Sequence, residues 1–201
     1  MTVDRVTLLR MNSGEYDVAV IGGGSGGYAA ARTAAAGGLK TVVVEGGKEV
    51  GGLCILRGCM PTKALLHSAE VLHQARHTSP FGVQASGVSF DLATIYARKN
   101  RLIQEFAEFR RGQLESKRFD FIRATAKFKN PHTIELSNGG ELRARHFVIA
   151  TGSTVAPSPM PSLDEVGYLT SDEALLLDRL PKSLIVLGGG AVAVEFAQFF
   201  A

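Results

Sequence analysis

The stretch YDVAVIGGGSGGYAAARTAAAGGLKTVVVE, residues 16–45, constrains the fold more than any other. Residues 16–21 and 41–45 are short apolar runs that read as buried strands. The alanine-rich segment between them reads as a helix closed by Gly37 and Gly38, which are stop signals. A strand, a tight glycine turn, a helix and a strand in about thirty residues make one βαβ unit with parallel strands. Inside the turn, Gly22, Gly24 and Gly27 fit G-x-G-x-x-G. The first permits the sharp exit from the strand, the second lets backbone approach a pyrophosphate, and the third packs helix close to strand. The helix start adds unpaired N–H groups and a positive dipole end for phosphates. Glu45 ends the second strand 18 residues beyond Gly27, where an acid hydrogen-bonds ribose hydroxyls. A dinucleotide site is the expectation; a glycine turn that binds nothing is the weaker reading.

Residues 183–201, SLIVLGGGAVAVEFAQFFA, repeat the pattern as strand, turn and helix start. Gly188, Gly189 and Gly190 form the turn, Ala193 takes the third-glycine place, and Glu195 follows. This predicts a second dinucleotide site using Gly188 and Gly190. Because the repeat stops inside its helix, the chain is expected to be the N-terminal fragment of a longer protein. Between the two copies the pattern predicts a helix over 60–77, a loop over 78–90 and an amphipathic helix over 91–117. In that helix Ile95, Leu102, Phe106 and Phe109 form the apolar side, with Arg98, Lys99, Glu105 and Arg111 between them. Short strands follow in 120–128, 132–146 and 147–153, with a hairpin turn at Ser137–Gly140. A connection over 152–170 carries Pro157, Pro159 and Pro161. A helix over 171–177 is expected to start at a Ser171 or Asp172 cap. The fold class is α/β: a Rossmann-like nucleotide-binding domain over 15–155 with a small antiparallel β insertion, a connection over 156–180, and the start of a second Rossmann-like domain over 181–201.

Composition narrows the partners. Hydrophobic residues make up 45% and charged residues 20% of 201, which suits a globular protein. The net charge of +3 is scattered, without an aromatic-interleaved basic stripe, so nucleic acid is not expected. No apolar run reaches membrane-spanning length, so no membrane partner is expected. The first residues carry Asp4, Arg5 and Arg10 without an apolar core, which argues against a signal peptide, and Met11 is an alternative start. A reducing cytoplasm follows as the expected compartment.

That compartment bears on the two cysteines, Cys54 and Cys59, which share the stretch GGLCILRGCMPTKAL. A static structural disulfide is unusual in a reducing compartment. A metal centre would recruit His67, His73 and His77, but four residues between cysteines is at the edge of zinc-knuckle spacing, so no metal is expected. A redox pair remains. Positions five apart lie about 140° apart around one helix, so Cys54 is expected in a non-helical turn before the helix. Gly58 would fold the chain back. Cys59 would then stand at the helix N-terminus, where the dipole favours thiolate.

In that order, strand-GGGSGG-helix, VVVE, GG-x-C-x4-C-x-P-T-K, ATGS and IVLGGG-x5-E resemble the flavoprotein disulfide reductases, the pyridine nucleotide–disulfide oxidoreductases. The resemblance covers residues 15–201, and the PTKALL ending is most similar to the dihydrolipoamide dehydrogenase branch. It implies FAD on the first turn, held by Gly22, Gly24, Ser25, Gly26, Gly27, Glu45, Gly52 and Lys63, with Thr151, Gly152 and Ser153 as a second contact. It implies that Cys54 attacks the substrate disulfide and that Cys59 lies nearest the flavin as the charge-transfer thiolate. Lys63 and Glu195 match a lysine–glutamate pair near the flavin. Electrons would run between NAD(P)H and a small-molecule or lipoyl-type disulfide, in a homodimer. The family's acid/base His–Glu pair comes from the partner subunit, and none of the five histidines here matches it. Two positions depart from the pattern: Leu53 and Leu56 stand where many members have Thr and Asn, and Arg57 follows. That apolar, partly basic rim points to a different acceptor from the well-studied members. Two alternatives stand beside the disulfide reductase: a metal-ion reductase of the mercuric type, which needs a further thiol pair, and a catalytically inactive FAD-binding fragment, which the repeat stopping inside its helix favours.

Overall fold

The computed structural model describes residues 15–158 and 160–201. The alternative start at Met11, the signal-peptide reading and Pro159 lie outside the described residues. The described residues pack as two compact units: residues 15–53 with 107–153, and residues 54–106 with 154–201.

The first unit is built on β1 (Tyr16–Ile21), α1 (Ser25–Ala36) and β2 (Thr41–Glu45), the predicted βαβ unit, and β1 and β2 are parallel. α2 (Leu53–Leu56), α3 (Cys59–Arg76) and α4 (Leu92–Leu114) follow in the chain before β3 (Asp120–Arg123) pairs parallel with β2. β4 (Ala126–Asn130), β5 (Thr133–Leu136) and β6 (Glu141–Ile149) form an antiparallel meander. The sheet order is β3-β2-β1-β6-β5-β4.

The α/β class with a small antiparallel β insertion is as expected, the insertion being β4, β5 and the start of β6. The sequence suggests a break between 146 and 147, whereas β6 runs unbroken for 9 residues. Its first third pairs antiparallel with β5 and most of its length pairs parallel with β1. A strand continues wherever a neighbour offers a ladder, and β1 offers one across the apparent break.

Alternation along β1 sends Val18 and Val20 to one face and Ala19 to the other. Val18, Val20, Tyr28, Ala31, Val43, Leu114 and Phe119 fill the α1 side. Ala19, Val42, Val44, Ile134, Leu136 and Leu142 fill the opposite side.

The second unit holds α3, residues 92–106 of α4, α5 (Ser162–Val166), α6 (Ser171–Ala174) and α7 (Ala191–Phe200). Its core is Leu65, Ala174, Leu175 and Phe196, flanked by Ile95, Tyr96, Phe199 and Phe200. Four expectations change along α4, α6 and the last glycine turn. Lys99, assigned to the polar side of α4, is only 4% exposed and donates to the Leu175 carbonyl at 2.6 Å. Phe109, assigned to the apolar side, is 66% exposed. The capped helix is shorter than predicted, and its cap is Thr170: its hydroxyl accepts from Asp172 N–H while Glu173 accepts from Thr170 N–H. The predicted strand near 183–187 does not form, and Ile185 is 86% exposed. No described strand offers it a ladder, and an apolar run alone does not make a strand.

Candidate functional site

The strand order 3-2-1 followed by β6 on the far side of β1 reverses direction at β1, and ligands of such sheets bind beyond the carboxyl ends of the strands at that switch. The first glycine turn lies there. Gly22 has φ +104°, a left-handed conformation that only glycine adopts freely, and a Cβ on it would stand 2.2 Å from the Ala150 carbonyl oxygen. A Cβ on Gly27 would stand 1.8 Å from the Gly22 carbonyl oxygen, so the third glycine sets how closely α1 meets β1. Gly24 is the N-cap of α1, in extended conformation and without a side-chain cap. Ser25 and Gly26 are exposed in the first turn. Gly52 approaches the same turn: a Cβ on it would lie 2.5 Å from the Gly24 Cα.

Glu45 ends β2 beside them. Its Oε2 accepts from Gly23 N–H at 2.7 Å and its Oε1 from Gly47 N–H at 2.5 Å. The sequence did not show these bonds, which fix the carboxylate against the glycine turn. Arg123 donates to the Gly47 carbonyl and so braces the loop after Glu45. Thr151, Gly152 and Ser153 follow Ala150, whose N–H donates to Ile21 at 2.8 Å, so they leave the sheet next to Gly22. The structure thus brings Gly22–Gly27, Glu45, Gly52 and Thr151–Ser153 to one end of one sheet. The result is a corner of bare backbone where Gly24 and Gly52 meet, with uncapped helix N–H groups and the Glu45 carboxylate beside it. That donor set fits a dinucleotide: N–H groups for its pyrophosphate, an acid for its ribose.

The cysteines lie on two helical segments. Cys54 is in the single turn of α2, which corrects the expected non-helical turn, and Cys59 is the first residue of α3. The geometric objection to one continuous helix stands, but it is met by a break at Arg57–Gly58. Cys54 is half-buried and Cys59 exposed. In the first turns of α3, Thr62 donates to the Gly58 carbonyl at 2.8 Å and Pro61 is buried. Lys63, one turn on from Cys59, forms an ion pair with Glu195 of α7. Arg57 pairs with Asp172 at 3.6 Å, a partner 115 positions away that no local signal marks. Cys59 and His73 stand at opposite ends of α3, roughly 21 Å apart along its axis, so the helix itself rules out a shared centre. Among the described residues no group of three or more His, Cys, Asp or Glu side chains could hold a metal.

The second glycine turn repeats the first in backbone. Gly188 has φ +120°, like Gly22, and Gly190 caps α7 in the extended conformation that Gly24 takes. It lacks the packing: a Cβ on Gly188 would meet nothing closer than Ala193 at 4.0 Å.

A profile of the family described as pyridine nucleotide-disulphide oxidoreductase matches residues 16–201. The chain belongs to this family. Its members are flavin-dependent enzymes that bind FAD and NAD(P)H, and their FAD domain is Rossmann-like. The chain is 40% identical over 196 residues to dihydrolipoyl dehydrogenase of Bacillus subtilis, covering 92% of this chain and 41% of that one. It is 36% identical over 187 residues to mercuric reductase of Bacillus cereus, covering 92% and 29%. Among solved structures it resembles the HOCl-induced flavoprotein disulfide reductase RclA from Escherichia coli, with a TM-score of 0.76, 29% identity and coverage of 92% and 39%. The chain therefore spans well under half the length of these relatives. No described helix is long and apolar enough to cross a membrane.

Proposed function

We propose that residues 15–155 carry the FAD site and the redox pair of a flavoprotein disulfide oxidoreductase, and that residues 181–201 begin its NAD(P) domain. The observation that carries the reading is the break at Gly58, which puts two thiols on separate helical turns with one at a helix N-terminus. Gly22, Gly24, Ser25, Gly26, Gly27, Glu45, Gly52, Thr151, Gly152 and Ser153 hold FAD, and Gly188 and Gly190 belong to the nicotinamide dinucleotide site. When bound, these cofactors supply the electron pair that returns the oxidised cysteine pair to dithiol.

The chain's own chemistry is thiol–disulfide exchange. The Cys54 thiolate attacks one sulfur of a small-molecule or lipoyl-type disulfide, forming a mixed disulfide and releasing the first substrate thiolate. The Cys59 thiolate attacks the Cys54 sulfur, closes the Cys54–Cys59 disulfide and releases the second. Each released thiolate takes up one proton. The Lys63–Glu195 pair, one turn from Cys59, keeps a cation near that thiolate. The whole protein acts as a homodimer in a reducing cytoplasm.

The test is the visible spectrum of the full-length protein during anaerobic reduction. A bound flavin whose long-wavelength absorption disappears in Cys59→Ser supports the reading; a full-length protein that binds no flavin sinks it. Identity to a mercuric reductase favours a second acceptor, a thiophilic metal ion. NADPH or NADH oxidation driven by Hg(II) but not by lipoamide decides for that acceptor.

A further inference from the structure

The C-terminal turn of α3 carries two histidines that the redox reading does not use. His73 and His77 stand one turn apart, and their rings stack with centroids 4.1 Å apart and planes 24° from parallel. The Nδ1 of His77 lies 2.8 Å from the His73 carbonyl oxygen. A carbonyl only accepts, so Nδ1 carries a proton and Nε2 is the ring nitrogen left to ligate. A histidine that ligates a metal is held in this way, with its other ring N–H anchored on a carbonyl or carboxylate. Both rings are exposed, and they face an open hollow walled by Gln74, Thr78, Phe81 and Val83.

We propose that His73 and His77 form a two-imidazole chelate for a borderline divalent transition ion, separate from the cysteine pair. Imidazole suits copper, nickel and zinc, and affinity among divalent ions rises to Cu(II), so Cu(II) binds tightest. Water fills the remaining positions. His77 is the C-cap residue of α3, so a bound ion also pins the last turn of that helix.

The test is Cu(II) titration of the chain carrying Cys54→Ser and Cys59→Ser, which removes thiols that would bind or reduce copper. The expected result is one Cu(II) per chain, with a paramagnetic resonance spectrum split by two imidazole nitrogens. His73→Ala and His77→Ala should each weaken binding by about tenfold or more, the scale seen when a metal's protein support is removed. His67→Ala, exposed on the same helix, should leave binding unchanged. Splitting from fewer than two nitrogens overturns the proposal without any histidine variant. So does equal binding by the His73 and His77 variants, equal loss in His67→Ala, or no copper uptake.

Discussion

Two glycines in the first turn of α1 differ in what a methyl group would meet. At Gly27 it would meet a carbonyl oxygen at 1.8 Å, so Gly27→Ala must push α1 off the sheet. Overpacking of this kind costs about 1–3 kcal/mol, which a denaturant titration reads directly. At Gly26 nothing lies within 4 Å, so Gly26→Ala should leave the midpoint unchanged or raise it slightly, because alanine is the better helix residue. The spacing of these glycines was legible because the steric demand is local. Lys99 was not legible: its charged side chain reads as polar surface, yet it is buried against the Leu175 carbonyl and stands over the Tyr96 ring. Burial lowers its pKa from the ordinary lysine value. The folded chain then binds fewer protons than the unfolded chain between the lowered value and about 10.5, so stability rises with pH across that window. Tyr16, pushed upward by burial and by its hydrogen bond to Asp120, titrates with the opposite sign above pH 10. Subtracting Lys99→Met from wild type removes the Tyr16 contribution. That difference in unfolding free energy should grow as pH rises toward the ordinary lysine value; a difference flat all the way to that value would show that the amine is not held in a desolvated state.

Elements divide by whether their cause is local. β1, α1 and β2 came out of the sequence because period, glycine spacing and stop signals agree over thirty residues. Leu184–Leu187 has the same apolar character as β1, but a strand exists only through a ladder, and pairing is not written in the run itself. The cysteine segment failed for a related reason. Five-residue spacing excludes one helix through both thiols but does not reveal that two short helices meet at Gly58. The cap of α6 is Thr170 rather than Ser171 or Asp172, since all three side chains offer a capping oxygen and only backbone geometry chooses between them. That cap is more than a boundary detail, because Ala174 and Leu175 at the end of α6 belong to the core around Leu65. Thr170→Ala should therefore cost about 1 kcal/mol of stability, and Thr170→Ser much less. The hydrogen bonds from Thr170 hold the Glu173 carboxyl below its ordinary range. The stabilisation tied to that shift is present above the usual Glu range and is lost as pH falls through the lowered value. Acid unfolding curves of wild type and Thr170→Ala should converge as the pH drops.

At the scale of the whole chain, fold and ligand place different demands on the same turn, and that separates them experimentally. Gly24 caps α1 with φ −67°, which any residue adopts, and a Cβ there would lie 3.5 Å from the Gly52 Cα, an ordinary contact. Gly24→Ala should therefore fold like wild type without ligand. The same methyl group stands at the bare start of α1, where backbone must approach a pyrophosphate. Ligand that binds only the folded state stabilises it by about 2.7 kcal/mol at one hundred times its dissociation constant. For a chain of this length that raises the melting temperature by about 5–10 °C. FAD should produce that rise in wild type and protect the amides of Gly22–Gly27, Glu45–Gly47 and Ala150–Ser153 from exchange. Gly24→Ala should keep the unliganded melting temperature and lose both effects. Loss of the unliganded melting temperature in Gly24→Ala would mean that the second glycine serves packing, as Gly27 does. An intact fold with an undiminished response to FAD would mean that the cofactor does not lie along this turn.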